Sequence, residues 1–135
     1  MLALDTDVLI AFQKRDLVVR TRYAQAVSAG EQIAIPSFVR YEARKELQNP
    51  LYERRLQFLD ALLDLHPTLG LDAQTVDTAV VLMERLRQDG RMIADADILI
   101  AATALRYGAA LVTNNTRHFK HISGLDLVDW QQENI

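Results

Sequence analysis

Short, unbroken apolar runs alternate with helix-length segments along this chain, and the alternation is the feature that most constrains the fold. The runs LAL, IAI and ALV occupy residues 2–4, 33–35 and 110–112. Runs that are apolar at successive positions are typical of strands covered on both faces, as in parallel sheets. Helices between successive strands favour an α/β domain. With LDLVDW near the C-terminus as a further strand, we predict a central, mostly parallel sheet of four to five strands.

Apolar periodicity and turn residues predict the intervening helices. We expect three of them to end at Gly30, Gly90 and Gly108, because glycine readily adopts the left-handed conformation that often follows a helix. Ser37 is predicted to cap the helix that carries Glu42. The predicted helices cover residues 7–15, 17–29, 38–48, 51–63, 72–89 and about 95–107.

Length and composition limit the class of protein. The chain has 135 residues, so we expect a single domain over residues 1–135. It has no cysteine, which excludes disulfides, thiolate catalysis and cysteine-based metal sites. No basic segment precedes the first apolar residues, and no apolar run is long enough to span a bilayer. We therefore expect a cytoplasmic protein with no membrane association.

The net charge is −3, so the chain lacks the strongly positive net charge that is typical of many nucleic-acid-binding proteins. Bound cations and local patches matter more than this sum. Basic residues do cluster at three places, which we interpret as solvated helix faces: Arg40, Arg44 and Lys45; Arg54 and Arg55; and Arg85, Arg87 and Arg91.

Acidic and amide side chains follow the predicted strands. Asp5 comes directly after the first strand, and Asn114 and Asn115 come directly after the strand AALVT. Glu42 lies about two turns into the helix after the second strand, and Asp97 lies near the start of the most apolar helix. Ligands of open α/β sheets bind outside the carboxyl ends of the strands. We therefore expect these residues to converge at one end of the sheet.

Converging carboxylates repel one another, so their pKa values rise unless a cation compensates. Mg²⁺, with Mn²⁺ as a substitute, suits such a site because it binds oxygen ligands and keeps several waters. A site of this kind can activate a water for attack on a phosphodiester. The bound ion also inverts the local field, which lets an acidic protein bind RNA.

Each acidic residue also has a purely structural interpretation. Asp5 and Asp97 would serve as helix caps, and we interpret Asp95 as an N-cap. Asp7 is interpreted as an exposed acid in the first turn, where the helix dipole favours it. Glu42 alone would be a surface helix residue, and the amide pair after the fourth strand only a turn.

The three histidines and the single tryptophan are not assigned to the site. His118 and His121 are three residues apart on a predicted exposed turn with no third metal ligand nearby, and His66 is distant in sequence. The proposed metal chemistry needs no histidine. Trp130 is predicted to pack in the core or at an interface.

Four stretches together resemble the PIN-domain family, in particular its VapC-like branch. They are LDTDVLI, PSFVRYEARKEL, ADADILIAATALRYGAALVTNNTRHF and ISGLDLVDW, and they extend over essentially the whole chain. The resemblance is strongest where the D-x-L-I-A-A helix leads into the strand and turn G-x-x-L-V-T-N-N. It implies a three-layer α/β/α domain around the parallel sheet.

The resemblance also implies which residues act. Asp5, Glu42 and Asp97 match the first, second and third acids of the family and would hold the metal. Asn115 falls where many members have a fourth acid, and His118 falls where some VapC-like chains have an acid. Because neither is acidic here, one Mg²⁺ or Mn²⁺ at Asp5 and Asp97 is favoured.

Other residues are implied in supporting positions. Thr6 matches a position whose hydroxyl often lies beside the site, and Thr113 matches the threonine that ends the fourth strand. Asp7 and Asn114 adjoin matched residues. Asp95 is additional to the usual pattern, with a secondary role as the alternative to its capping role. The activity implied is that of an endoribonuclease acting as a toxin, with RNA as substrate, a small antitoxin covering the site, and a homodimer as the assembly.

Two alternatives come from other classes of protein. The sequence D-x-D after an apolar strand is also found in phosphatases of the haloacid-dehalogenase type, in which Asp5 would be the nucleophile and Asp7 the general acid. The residue two positions after Asp7 is Leu9, not the expected Thr or Val. The missing fourth acid motivates the other alternative, a PIN-like module that has lost catalysis and serves in binding or regulation.

Overall fold

A five-stranded parallel sheet forms the centre of the computed structural model, which describes residues 1–132. The strands lie in the order β3-β2-β1-β4-β5, and every pairing is parallel. Their bounds are β1 Leu2–Leu4, β2 Ile33–Pro36, β3 Thr68–Leu69, β4 Ala110–Val112 and β5 Leu127–Val128. The predicted sheet is confirmed.

Helices flank this sheet and connect its strands. Their bounds are α1 Thr6–Gln13, α2 Leu17–Ser28, α3 Ser37–Lys45, α4 Glu53–Asp64, α5 Ala73–Gln88, α6 Asp95–Arg106 and α7 Thr116–Phe119, with a 3-10 turn at Pro50–Tyr52 before α4. Within residues 1–132, no helix has the length and apolar character needed to cross a bilayer.

Both faces of the central strands are buried. Side chains of adjacent residues in a strand point to opposite faces. Ala3 and Leu4 of β1 are both buried, as are Leu111 and Val112 of β4. Helices therefore cover the sheet on both sides, which gives the three-layer α/β/α arrangement that the apolar runs and the resemblance together predicted.

Four helices end in the same backbone geometry. Gly30, Gly90 and Gly108 follow α2, α5 and α6 with positive φ angles of 78°, 65° and 66°, as predicted. Arg15 follows α1 with a φ of 63°. At each end the residue with positive φ and the residue after it donate backbone hydrogen bonds into the last helical turn, which is the Schellman motif. Arg15 thus occupies a position where the other three helices use glycine.

Several local predictions were wrong. Ser37 is the first residue of α3 and not its cap; Pro36 precedes it and offers no side-chain hydrogen bond. Asp95 is the first residue of α6, and the capping position belongs to Ala94. Leu51 does not share the buried face of α4, because it lies in the 3-10 turn and is 86% exposed.

Two short elements were not predicted. Strand β3 has two residues, too few to show an alternating pattern. Helix α7 has four residues, in a segment that the sequence suggested was only a turn. In both, long-range packing rather than local periodicity determines the structure.

Candidate active site

The strand order places a crevice between β1 and β4. From β1 the chain moves to β2 and β3 on one side, and later to β4 and β5 on the other. Open α/β sheets bind ligands at such a switch point, beyond the carboxyl ends of the strands. Leu4 and Val112 are register partners, so the residues that follow them, Asp5 and Thr113, lie side by side.

Asp5 is the most deeply placed acid of this crevice, with 5% of its surface exposed. Its Oδ1 accepts a hydrogen bond of 2.7 Å from the Thr6 backbone N–H, which caps α1. Its Oδ2 accepts one of 2.8 Å from the Thr113 hydroxyl. The capping interpretation and the site interpretation are therefore compatible, because one residue serves both.

Burial raises the pKa of Asp5 to about 7, and the nearby charge of Asp7 acts in the same direction. The hydrogen bonds from Thr113 and Thr6 oppose this rise, and the charge of Asp97 adds to it. A buried carboxylate that is close to two others is costly to keep ionised without a cation. The electrostatics of this end of the sheet thus favour a positively charged ligand.

Asp7 is not the exposed first-turn acid that the sequence suggested. It is half-buried, and its Oδ2 accepts a 3.1 Å hydrogen bond from the backbone N–H of Asn114. Burial raises the pKa of Asp7, and the hydrogen bond from Asn114 opposes the rise. Among residues 1–132, Oδ1 of Asp7 and Oδ1 of Asn114 are buried without a hydrogen-bond partner.

Thr6 connects the first acid to the second. Its backbone N–H contacts Asp5, and its hydroxyl donates a 2.7 Å hydrogen bond to Oε1 of Glu42. Glu42 comes from α3, on the other side of the switch point from β4. One threonine therefore holds two of the predicted catalytic carboxylates.

Asp97 lies in the first turn of α6 and contacts α7. His118 Nδ1 is 3.2 Å from Asp97 Oδ2. No role was predicted for His118, which comes next to the third acid only because α7 folds back over the start of α6. The signal available in the sequence was its position, where the family resemblance implies an acid in some VapC-like chains.

The remaining predicted residues lie at the edge of the site or outside it. Asn115 is exposed, and its backbone N–H, not its side chain, donates to the Thr113 hydroxyl. Asp95 is exposed, and its side chain makes no hydrogen bond or ion pair within the described part of the chain. Direct hydrogen bonds thus join four residues in one group, Asp5, Thr6, Glu42 and Thr113. Another hydrogen bond joins Asp7 to Asn114, and Asp97 acts on Asp5 through its charge.

The other histidines and the tryptophan lie elsewhere. His66 Nε2 contacts the Tyr23 hydroxyl at 2.5 Å, and Trp130 packs edge-on against Tyr23 in the core. His121 contacts Arg91. The prediction that Trp130 packs is confirmed, and neither of these two histidines touches the acidic crevice.

The side-chain oxygen atoms of this site are suitable ligands for a hard divalent cation. All are carboxylate, amide or hydroxyl oxygens, and two buried oxygens lack a partner. No group of three acidic or histidine side chains within residues 1–132 is arranged to hold an ion by itself. Mg²⁺ is commonly held by only one or two carboxylates, with waters and substrate phosphate completing its shell. That Asp5, Glu42 and Asp97 share one ion stays a prediction.

Comparisons with known proteins agree with this geometry. A sequence model of the PIN domain matches residues 2–125. Ribonuclease VapC19 of Mycobacterium tuberculosis is 32% identical over 122 residues, covering 88% of this chain and 92% of that protein. VapBC2 from Rickettsia felis, solved bound to a DNA fragment from its promoter, superposes with a TM-score of 0.88 at 26% identity, covering 96% of this chain and 98% of the other.

A second solved structure is similar to the same extent. It is DNA-bound VapBC from Salmonella typhimurium, which superposes with a TM-score of 0.86 at 27% identity, covering 96% of this chain and 97% of the other.

Proposed function

This chain belongs to the PIN-domain family, in its VapC-like branch, and from this premise we propose that it is a Mg²⁺-dependent endoribonuclease acting as the toxin of a toxin–antitoxin pair. The observation that carries the proposal is Asp5. It is buried at the switch point of the sheet, and this burial, with the charges of Asp7 and Asp97, raises its pKa to about 7. At neutral pH and above, a ligand that compensates its charge would stabilise the ionised form of such an acid.

The residues divide the work of phosphodiester hydrolysis. In this reaction a water oxygen joins phosphorus, a backbone phosphorus–oxygen bond breaks, and a proton passes to the departing oxygen. Asp5 and Asp97 would hold the ion, which when bound would stabilise negative charge on the phosphate and make a water more nucleophilic. Thr113 and the Thr6 N–H fix both oxygens of Asp5, and the Thr6 hydroxyl fixes Glu42 for orienting the attacking water.

One ion is favoured over two. The positions of Asn115 and His118 carry no carboxylate, and the His118 ring contacts Asp97 where a second acid would extend the negative site. A neutral or positively charged ring there lowers the attraction for a second cation.

Cleavage of RNA by the purified chain tests the function. With Mg²⁺ present, Asp5→Asn and Asp97→Asn should each lower the cleavage rate at least ~1,000-fold, because each would remove a metal ligand and ~4 kcal/mol of barrier lowering. Asp77→Asn, an exposed acid of α5, is the matched control and should cleave like the wild type. EDTA should abolish cleavage, and Mn²⁺ should restore it.

Two results would contradict the proposal. Equal rates for the wild type and both acid variants would leave a PIN-like binding module as the better description. A phosphoaspartate analogue trapped by beryllofluoride on Asp5 would instead point to the phosphatase alternative, since hydrolysis by an activated water forms no covalent intermediate.

The partners are RNA, a small antitoxin and a second copy of the chain, and the compartment is the cytoplasm. Support for the antitoxin comes from the similar solved structures, which are VapBC complexes. Co-expression with the adjacent gene product, followed by light scattering on the free chain and the complex, tests both assemblies. A free chain with the mass of a monomer would contradict the homodimer.

A further inference from the structure

A cavity lined mainly by cations lies outside the acidic crevice. It has a volume of about 550 Å³ and is formed by the turn after α1, the start of α2 and the start of α4. Among residues 1–132, no acidic residue lines it. Its lining includes Lys14, Arg15, Arg20, Arg54, Arg55 and Phe58. Five positive charges around one cavity suit a polyanion, since none of them pairs with an acidic side chain within residues 1–132.

Arg20 is held in place inside this cavity. Its Nε donates a 2.9 Å hydrogen bond to the Phe12 carbonyl oxygen, and its guanidinium lies over the rings of Phe12 and Phe58 at 4.9 Å and 5.4 Å. A stacked, hydrogen-bonded guanidinium loses little further freedom when it binds an anion. Phe58 is 43% exposed, so an apolar ring is also available beside the charges.

Arg15 occupies a backbone position that favours glycine. Its φ is 63°, and the equivalent positions after α2, α5 and α6 are Gly30, Gly90 and Gly108. A non-glycine residue in this conformation is unfavourable for the fold. The chain therefore keeps a cation in the cavity wall at a site where glycine would suit the backbone better.

A groove connects this cavity to the acidic crevice. Its lining begins at Thr6 and at Glu42, which accepts the hydrogen bond of the Thr6 hydroxyl. The lining also includes Lys45 and Tyr52. Gln13, Lys14 and Arg55 line both the groove and the cavity. The Gln13 side chain also donates to the Arg55 carbonyl oxygen at 3.0 Å, which ties α1 to α4 where the two spaces meet.

We infer that the cavity bounded by Lys14, Arg15, Arg20, Arg54 and Arg55 binds phosphates of the RNA strand whose cleavage site lies at Asp5, with the strand following the groove between them. This inference rests on the proposed function. The basic side chains would pair with the phosphates, and the exposed rings of Tyr52 and Phe58 can stack on bases. Unpaired RNA has bases that are free to stack in this way, whereas duplex RNA does not.

Binding of a fluorescein-labelled, single-stranded RNA of mixed sequence to the full chain tests this inference. Asp97→Asn is present throughout to prevent cleavage, and the salt is varied from about 50 to 200 mM. Arg54→Gln with Arg55→Gln should weaken binding at least ~10-fold and reduce the slope of log affinity against log salt by about 1.4, at ~0.7 per phosphate contact. Arg85→Gln with Arg87→Gln makes the same charge change on α5, which lines neither space, and should change the slope by less than ~0.3.

Arg15→Gly is a second variant, in which the substitution itself should not disturb the turn after α1. We expect its thermal unfolding midpoint to be no lower than that of the wild type, because glycine adopts a positive φ freely. Its RNA affinity should nevertheless fall about 3-fold, with a slope reduced by about 0.7. Loss of affinity together with a retained midpoint is a result that a purely structural role for Arg15 would not give.

The outcomes separate the two proposals. A wild-type chain that neither binds nor cleaves RNA refutes the proposed function. A wild-type chain that cleaves RNA, with both arginine pairs equal in affinity and salt slope, overturns the phosphate-binding inference alone. Polyglutamate binding that is lost in the Arg54 and Arg55 pair while RNA affinity is retained would overturn it in favour of an acidic protein partner.

Discussion

The acidic crevice and the basic cavity use charge in opposite ways. Asp5 is fixed by backbone and hydroxyl donors at the end of a buried strand, so its position follows from the sheet itself. Arg54 and Arg55 are exposed at the start of a surface helix, where they line the cavity. The crevice therefore fixes its acid precisely but must bury a charged group, which is energetically unfavourable. The cavity instead collects several charges that stay exposed to water.

This difference predicts different consequences of mutation. Neutralising Asp5 in the crevice should abolish function and stabilise the metal-free fold at neutral pH and above, because a desolvated carboxylate is removed. Neutralising an arginine of the cavity should weaken function in proportion to the charge lost and leave stability almost unchanged. Activity and stability measured on the same variants therefore test whether the two sites differ in this way.

The largest effect should appear in the pH dependence of stability without metal. The pKa of Asp5 is raised from its ordinary value of 3.8 to about 7 in the folded chain. Below about pH 4 both states hold the proton, and the residue costs nothing. Between about pH 4 and pH 7 only the folded state keeps it, so the free energy of unfolding falls as the pH rises, by on the order of 4 kcal/mol in total.

Urea unfolding in EDTA at pH 4.5 and pH 8 measures this effect. Asp5→Asn should be more stable than the wild type at pH 8 by a few kcal/mol and nearly equal to it at pH 4.5. The Arg54→Gln, Arg55→Gln pair should follow the wild type at both pH values. A wild-type chain whose stability relative to Asp5→Asn is the same at both pH values would show that burial does not disfavour the Asp5 carboxylate.

Metal binding should give the next largest effect. Saturating Mg²⁺ stabilises the folded state by mass action, by about 2.7 kcal/mol at a concentration 100 times the Kd. The rise in unfolding midpoint should be larger at pH 8 than at pH 5, because a protonated carboxyl cannot act as a ligand. Asp97→Asn should lose most of the rise, while the Arg54→Gln, Arg55→Gln pair keeps all of it. An equal rise in all three proteins would place the ion elsewhere.

The same contrast explains what could be predicted from the sequence. Asp5 and Thr113 each follow an apolar strand directly, and parallel strands bring such residues together at one edge. Their meeting thus needs only the strand assignment and the register. The secondary structure of the major elements was predictable for the same reason, since each carries its own periodicity or its own glycine at the end.

The features that were not predictable depend on contacts between distant segments. His118 reaches Asp97 only because α7 packs beside α6. Lys14, Arg20 and Arg55 come from three segments that no local pattern brings together, so Arg54 and Arg55 were interpreted merely as a solvated face. The first helix was predicted to end at Arg15, but the positive φ of Arg15, which forms the same motif as at Gly30, was not predictable because the sequence has no glycine there.

The smallest effect tests whether the hydrogen bonds within the crevice serve the charge or only the fold. Thr113 is fully buried, and its hydroxyl donates to Asp5 Oδ2 at 2.8 Å. Thr113→Val removes this donor with little change of shape. It should lower the free energy of unfolding by about 1 kcal/mol at pH 4.5, where Asp5 is neutral, and by about 2 kcal/mol at pH 8, where the bond is made to a carboxylate.

Thr113→Ser keeps the hydroxyl and is the matched control, so the stability that it loses with the methyl group should be equal at both pH values. If the penalty for Thr113→Val were also independent of pH, the hydroxyl would be stabilising the loop after β4 and not the ionised form of Asp5.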